Sequence, residues 1–291
     1  MGKRAQDVNA LFRLRKWILS EGITVIHAHT TSYFFGTLIK WLCPKVQLVW
    51  HEHHGNRIHK HICKNKALWF CSFFFNAIIT VNEDLKQWCQ QNLRTKKVYN
   101  LPNFVEVNDF SESSKLEKVI VCVSNLRVPK NHLNLLSAFK EVHQHHPEWT
   151  LRLIGKDAGD AYSSEVKSFI SNNNLQQAVA VLGAQGVIPF QLKHASIGVL
   201  SSDIEGLPMA LLEYGAAGLA VVVTNVGDCE HVVGECGTVV PPHNSQALSQ
   251  AIMKYIKNES LRKEHGANFR KRIANRFSLE NLLKQVLEIY N

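Results

Sequence analysis

Glu205-Gly206-Leu207-Pro208, followed eight positions after Glu205 by Glu213, is the stretch whose residue types could do chemistry. Proline has its φ set for the first turn of a helix and lacks the N–H that would go unused there. The spacing predicts a helix that starts at Pro208 and runs through Met209-Ala210-Leu211-Leu212-Glu213-Tyr214. Glu205 then stands in the loop before the helix, and Glu213 about a turn and a half inside it. The amides around Gly206 and Leu207 lie at the helix's positive end, which favours phosphate or an oxygen-rich ligand. Two acceptor carboxylates flanking such a helix start suit a ligand with both hydroxyls and phosphates, as a sugar nucleotide has. Taken alone, capping and surface charge explain the pair equally well, so the rest of the chain must carry the reading.

The elements that would position these residues are short, apolar, β-branched runs alternating with amphipathic helical stretches. Strands are expected at Thr24–His27, Gln47–His51, Ala77–Val81, Lys97–Asn100, Val119–Ser124, Leu151–Ile154, Val179–Leu182, Ile197–Leu200, Ala220–Thr224 and Gly237–Val240. Repeated βα units of this kind imply parallel sheets covered on both faces. Ten strands suit two sheets better than one. The polar stretch Glu106–Lys118 has no apolar period and reads as a linker between two α/β domains. In such folds ligands bind at the carboxyl ends of strands. Gly155-Lys156-Asp157, Gly183-Ala184-Gln185, Ser201 to Glu205 and Thr224 to Gly227 all follow strands of the second domain. Arg127 and Lys130 follow Val119–Ser124, where two cations could neutralise a diphosphate. Strand-end glycines and loop cations are ordinary one by one; five strand ends suiting one ligand are not.

Composition narrows the class. The chain has 291 residues, 45% of them hydrophobic, which is ample for one large or two smaller cores. Its seven cysteines are odd in number, scattered and never spaced Cys-x-x-Cys. That argues for reduced thiols in a cytoplasmic protein rather than a disulfide framework or zinc ribbon. No apolar run reaches membrane-span length; Ala67 to Val81 is broken by Ser72 and Asn76 and reads as a helix followed by a strand. The opening residues have no signal-peptide core. Residues 1–110 hold 15 Lys/Arg against 7 Asp/Glu, nearly the whole formal charge of +9. Without a zinc-finger spacing or an aromatic RNA-binding strand, nucleic acid is not the expected partner. An anionic membrane surface suits the basic third better, helped by Trp17, Trp41, Trp50, Trp69 and Phe73-Phe74-Phe75, although burial in a core accounts for such aromatics too.

The residues from 119 onward resemble the nucleotide-binding half of glycosyltransferase family 4, retaining enzymes of the GT-B fold. The likeness runs through VCVSNLRVPKNHLNLLSAF, LRLIGKD, AVLGAQ and VLSSDIEGLPMALLEYGAAGLAVVVTNVGDCEHVV, and closes with RFSLENLLKQVLEIYN. The first part fits more loosely, through VIHAHTTSYFFG, VWHEHHGN, AIITVNEDLKQW and NLPNFVE. The resemblance implies two Rossmann-like domains facing a cleft. An acceptor-side domain would cover residues 1–110, a sugar-nucleotide domain 111–275, and a terminal helix, 276–291, would return to the first. The family's N-terminal strand and glycine-rich turn have no counterpart, so the first domain is expected to be truncated.

By the same resemblance Glu205 holds donor-sugar hydroxyls, helped by the Gly206 and Leu207 amides, and Glu213 accepts from the ribose. Arg127 and Lys130 bind the diphosphate and stabilise the departing nucleotide. Gly155, Leu182, Gly183 and Ala184 line the donor site, and His51 or His53 faces the sugar. No metal or other cofactor is implied; the donor is a nucleoside-diphosphate sugar. The implied reaction moves a hexosyl unit to a glycan or lipid-linked acceptor hydroxyl, at the inner face of a membrane. The leading alternative is a catalytically incomplete subunit that binds a sugar nucleotide beside a partner transferase, and a sugar-nucleotide epimerase is a further one. His51-x-His53-His54 and His59-x-His61-x-Cys63 are metal-ligand types, yet their spacing along the chain matches no standard zinc site. They read as a polar rim.

Overall fold

The computed structural model describes residues 8–53, 57, 66–106, 117–186 and 188–290. Contacts divide the chain into two compact units, residues 1–102 with 282–291 and residues 103–281. Most of the expected linker, residues 107–116, lies outside the described residues, as do His54, His59, His61 and Cys63.

In the first unit the described elements run α1 (Val8–Ser20), β1 (Val25–His29), α2 (Tyr33–Leu42), β2 (Gln47–Glu52), α3 (Lys66–Cys71), β3 (Ala77–Thr80), α4 (Glu83–Asn92) and β4 (Val98–Asn100). The four strands lie in sequence order and every pair is parallel. All their carboxyl ends therefore share one edge. Central β3 is buried at every position, as a strand covered on both faces must be. On one face Leu48, Trp50 and Ile78 pack with Leu68 and Trp88. On the other, Val49, Ala77 and Ile79 meet Leu282 of the C-terminal segment, with Val286, Ile289 and Tyr290 packed around it.

The second unit continues with β5 (Val119–Val123), α5 (His132–His145), β6 (Thr150–Ile154), α6 (Ala161–Asn172), β7 (Val179–Gly183), α7 (Ile188–Lys193), β8 (Ile197–Leu200), α8 (Met209–Ala216), β9 (Ala220–Thr224), α9 (Cys229–Val233), β10 (Thr238–Val240), α10 (Ser245–Lys257) and α11 (Glu259–Arg276). The last helix, α12 (Leu279–Tyr290), begins here and runs into the first unit. The sheet order is β10-β9-β8-β5-β6-β7, all parallel. From β5 the chain winds outward through β6 and β7, then crosses back to β8 and winds outward the other way. This makes the gap between the carboxyl ends of β5 and β8 the topological switch point, where doubly wound sheets bind their ligands.

Asparagine or aspartate caps start several of these helices. The side chains of Asn131, Asp160, Asn244 and Asn258 each accept the amide three residues on. The expected strands all form, with ends shifted by at most two residues. Ala67 to Val81 is a helix, a 3-10 turn and a strand, and no described helix is long and apolar enough to cross a membrane.

Candidate donor site

One correction concerns the helix start. Helix α8 begins at Met209, and Pro208 is its N-cap, with ψ 124° in the extended region. The chain is still turning at Pro208, so the proline fixes the entry to the helix rather than its first turn. Neither the Gly206 nor the Leu207 amide donates a hydrogen bond among the described residues. The loop is held instead through its carbonyls. Asn103 Nδ2 donates to Leu207 O at 2.8 Å and the Asp228 amide donates to Gly206 O at 2.9 Å.

Glu205 follows β8 and Lys130 follows β5, and the two meet across the switch point. Lys130 Nζ donates to Glu205 Oε1 at 2.6 Å, and the Ser202 hydroxyl donates to the same oxygen at 2.6 Å. The glutamate side chain is 9% exposed and the lysine 19%, so the pair is largely out of water. Glu205 Oε2 takes no bond among the described residues, which leaves one carboxylate oxygen to accept from a ligand. Arg127 is exposed, and its side chain has no partner among the described residues.

The supports of this pair come from the same strand-end stretches, though the sequence assigns none of them a role. Ser201 Oγ donates to the Lys130 carbonyl at 3.1 Å, and the Asp203 amide donates to the Pro129 carbonyl at 2.8 Å. Asn131, in the left-handed region at φ 48°, caps α5 and donates to Asp203 Oδ1 at 2.6 Å. Thr224 Oγ1 donates to Ser202 O at 2.6 Å, tying β9 into the loop. Behind them, buried His132 lies between Ser124 Oγ at 2.9 Å and the Tyr162 hydroxyl at 3.2 Å. Burial lowers its pKa to about 4, so at neutral pH it is an uncharged strut beside Lys130. Repeated polar residues just past strands are the only sequence signal that marks these supports.

Glu213 lies half-buried on α8, its carboxyl group has no partner among the described residues, and burial raises its pKa. A carboxyl group short of donors in this setting gains from a ligand hydroxyl. Beside the switch point, a cavity of about 200 Å³ is lined by Ser124, Asn125, Gly155, Lys156, Ala184 and Gln185. Gly155 is required there, since a Cβ would stand 2.1 Å from the Ser124 carbonyl oxygen. Gly155 and Ala184 thus line the cavity, while Leu182 and Gly183 do not. Leu182 O instead accepts the Gln185 amide at 2.6 Å, and Gly183 O accepts the Gly155 N–H at 2.9 Å.

A larger cavity of about 570 Å³ lies in the first unit, lined by Phe73, Arg94, Lys96 and Lys97 among others. It opens among the segments that enter β3 and β4, away from the carboxyl ends of strands where sheets of this kind bind ligands. His51 and His53 belong to the first unit, at the carboxyl edge of its own sheet. There they join His27 and His29, two residues that spacing along the chain does not connect to them.

Residues 106–272 match the family model described as glycosyl transferases group 1, and residues 2–109 match that of glycosyltransferase family 4. An exopolysaccharide phosphotransferase of Streptomyces coelicolor is 28% identical over 221 residues, 74% of this chain and 23% of that protein. A UDP-Gal:alpha-D-GlcNAc-diphosphoundecaprenol alpha-1,3-galactosyltransferase of Escherichia coli is 22% identical over 98% of this chain and 79% of its own. Against the first curated relatives, the chain spans half of their length or less. The crystal structure of Anabaena HepE with UDP and glucose superposes with a TM-score of 0.86 at 19% identity, over 99% of this chain and 82% of that one.

Proposed function

The chain belongs to the glycosyl transferases group 1 family and has its GT-B fold, and on that premise we propose that it is a retaining hexosyltransferase. The donor is a nucleoside-diphosphate sugar and the acceptor a hydroxyl of a glycan or lipid-linked saccharide. The observation that carries this reading is the Lys130–Glu205 pair at the switch point. An arriving diphosphate competes for the Lys130 ammonium and is met by the exposed Arg127 guanidinium. Glu205, released, takes hydroxyls of the sugar through both oxygens, and the Gly206 and Leu207 amides orient it. Glu213 accepts from the ribose, and the base enters the cavity beside Gly155 and Ala184. Positive charge fixed beside the leaving diphosphate stabilises the charge that develops as the anomeric bond breaks.

Calorimetric titration with UDP and GDP tests the nucleotide site, UDP first because the Anabaena neighbour carries it. Lys130→Ala is expected to weaken binding at least about tenfold, or ~1.4 kcal/mol. An unchanged affinity in that variant removes Lys130 from the site. Saturable UDP binding without transfer to any acceptor favours the binding-subunit alternative.

The membrane-facing part of the proposal rests on α1. Leu11 and Ile18 are buried, with Leu14 packed beside them against α2. The helix also exposes Phe12 at 58%, Trp17 at 55% and Leu19 at 59% among Arg13, Arg15 and Lys16. Exposed aromatics beside cations suit an anionic lipid surface. Co-sedimentation with anionic vesicles is expected and should fall severalfold in Phe12→Ser/Trp17→Ser. Equal pelleting of both proteins would remove α1 from the contact.

A further inference from the structure

We infer that His27, His29 and His51 form a binding site for one divalent transition-metal ion at the carboxyl edge of the first unit's sheet. The pleat of β1 puts residues two apart on one face, so His27 and His29 project together. Parallel pairing sets His29 opposite His51, and His53 comes two residues later. Each of the three rings offers one nitrogen, and these nitrogens all lie within 4.8 Å of one another. A tetrahedral ion held at about 2.0–2.1 Å keeps its ligand nitrogens roughly 3.4 Å apart. His27 Nε2 and His51 Nδ1 are 3.1 Å apart, already near that spacing. A side-chain adjustment of at most about 1.4 Å brings in the third ring.

Two further features resemble the surroundings of a metal centre. Ligating histidines hold their second nitrogen to an outer partner that fixes ring and tautomer. His27 Nδ1 lies 2.5 Å from the Tyr290 hydroxyl, and His29 Nδ1 lies 2.8 Å from His53 Nε2. His51 Nε2, by contrast, is buried with no hydrogen-bond partner among the described residues, so His51 lacks that outer partner. The donor set also limits the ion. Glu52 alternates to the other face of β2 and is paired with Arg57, so among the described residues no carboxylate joins the cluster. Imidazoles alone favour zinc, copper or nickel over magnesium or calcium. Three of them leave a fourth position for water or a ligand oxygen, as in zinc sites that accept ligands. This departs from the expectation of no metal, and all four histidines belong to the first unit.

The test uses the full chain, stripped with a chelator and titrated with Zn2+ against a chromophoric competitor, then with Co2+ followed by visible absorption. One equivalent of Zn2+ and the intense visible bands of four-coordinate Co2+ are expected. His27→Ala and His51→Ala should each weaken Zn2+ at least about 100-fold, and the outer-partner variant Tyr290→Phe about tenfold. His145→Ala, on the exposed end of α5, serves as the surface-histidine control and should change nothing. If the alanine variants do not fold, Cu2+ bound to the unaltered chain reports its nitrogen ligands by electron paramagnetic resonance. Several equivalent imidazoles support the site, and one or none overturns it. Absence of stoichiometric Zn2+ binding, or its persistence in a His27→Ala/His51→Ala double variant, also overturns it. None of these readouts requires UDP binding or transfer, so the donor-site reading can fail without affecting them.

Discussion

Glu205→Ala is expected to lower transfer from the sugar nucleotide by about 10²- to 10³-fold, the usual loss when one preorganised polar contact to the reacting group is removed. Free UDP should behave differently. In the resting site Lys130 is committed to Glu205 Oε1 at 2.6 Å, so the carboxylate competes with the diphosphate for that ammonium. Removing the carboxylate frees Lys130 for the diphosphate, and UDP affinity should hold or rise. The extra affinity that a sugar nucleotide has over UDP should disappear. Glu205→Gln separates charge from shape: it keeps a group for Ser202 Oγ to reach and removes the negative charge. It too is expected to lose transfer while unfolding close to the original temperature. Transfer at the original rate in Glu205→Ala, or an equal loss of UDP and sugar-nucleotide affinity, would show that Glu205 does not hold the sugar.

How far the sequence discloses the fold and the site depends on the range of each interaction. The central strands are legible because they are short β-branched runs buried on both faces, as at Ile78, Ile79, Val121, Val222 and Val223. The Glu205 loop is legible because glycine, proline and two glutamates at fixed spacing leave few local conformations. The helix start is one residue off because a proline ring fixes φ and leaves ψ to the residues C-terminal to it. The histidine cluster is hidden for a different reason. Spacing along the chain connects His51 to His53 and His61, whereas His27 and His29 reach His51 through strand register. The partners of Lys130 also come from a distant strand, 75 residues on at Glu205. Sheet order brings β5 beside β8, and no local pattern announces that adjacency.

Gly227→Ala should damage the Glu205 loop directly. Gly227 sits at φ +54°, in the left-handed region that costs an L-residue with a Cβ roughly 1–2 kcal/mol. Steric pressure adds to this, because the new Cβ would stand 2.5 Å from Glu205 O and 2.6 Å from Gly206 O. Those atoms are backbone, so no side chain can swing away, and the loop carrying the Glu205 carboxylate must move. The same shift strains the Asp228 amide bond to Gly206 O and the Asn103 bond to Leu207 O. A total cost of about 2–4 kcal/mol corresponds to a fall in Tm of roughly 4–16 °C for a unit of this size. Gly159→Ala is the matched control. Gly159 has φ +67° with nothing within 4 Å of the added carbon, so it feels the backbone strain without the clash. It should lose about 1 kcal/mol and bind UDP normally, whereas Gly227→Ala should also lose sugar-nucleotide affinity more than about tenfold. Equal effects of the two substitutions on stability and on binding would mean that the Glu205 loop tolerates displacement, and that its backbone position is not what sets the donor site.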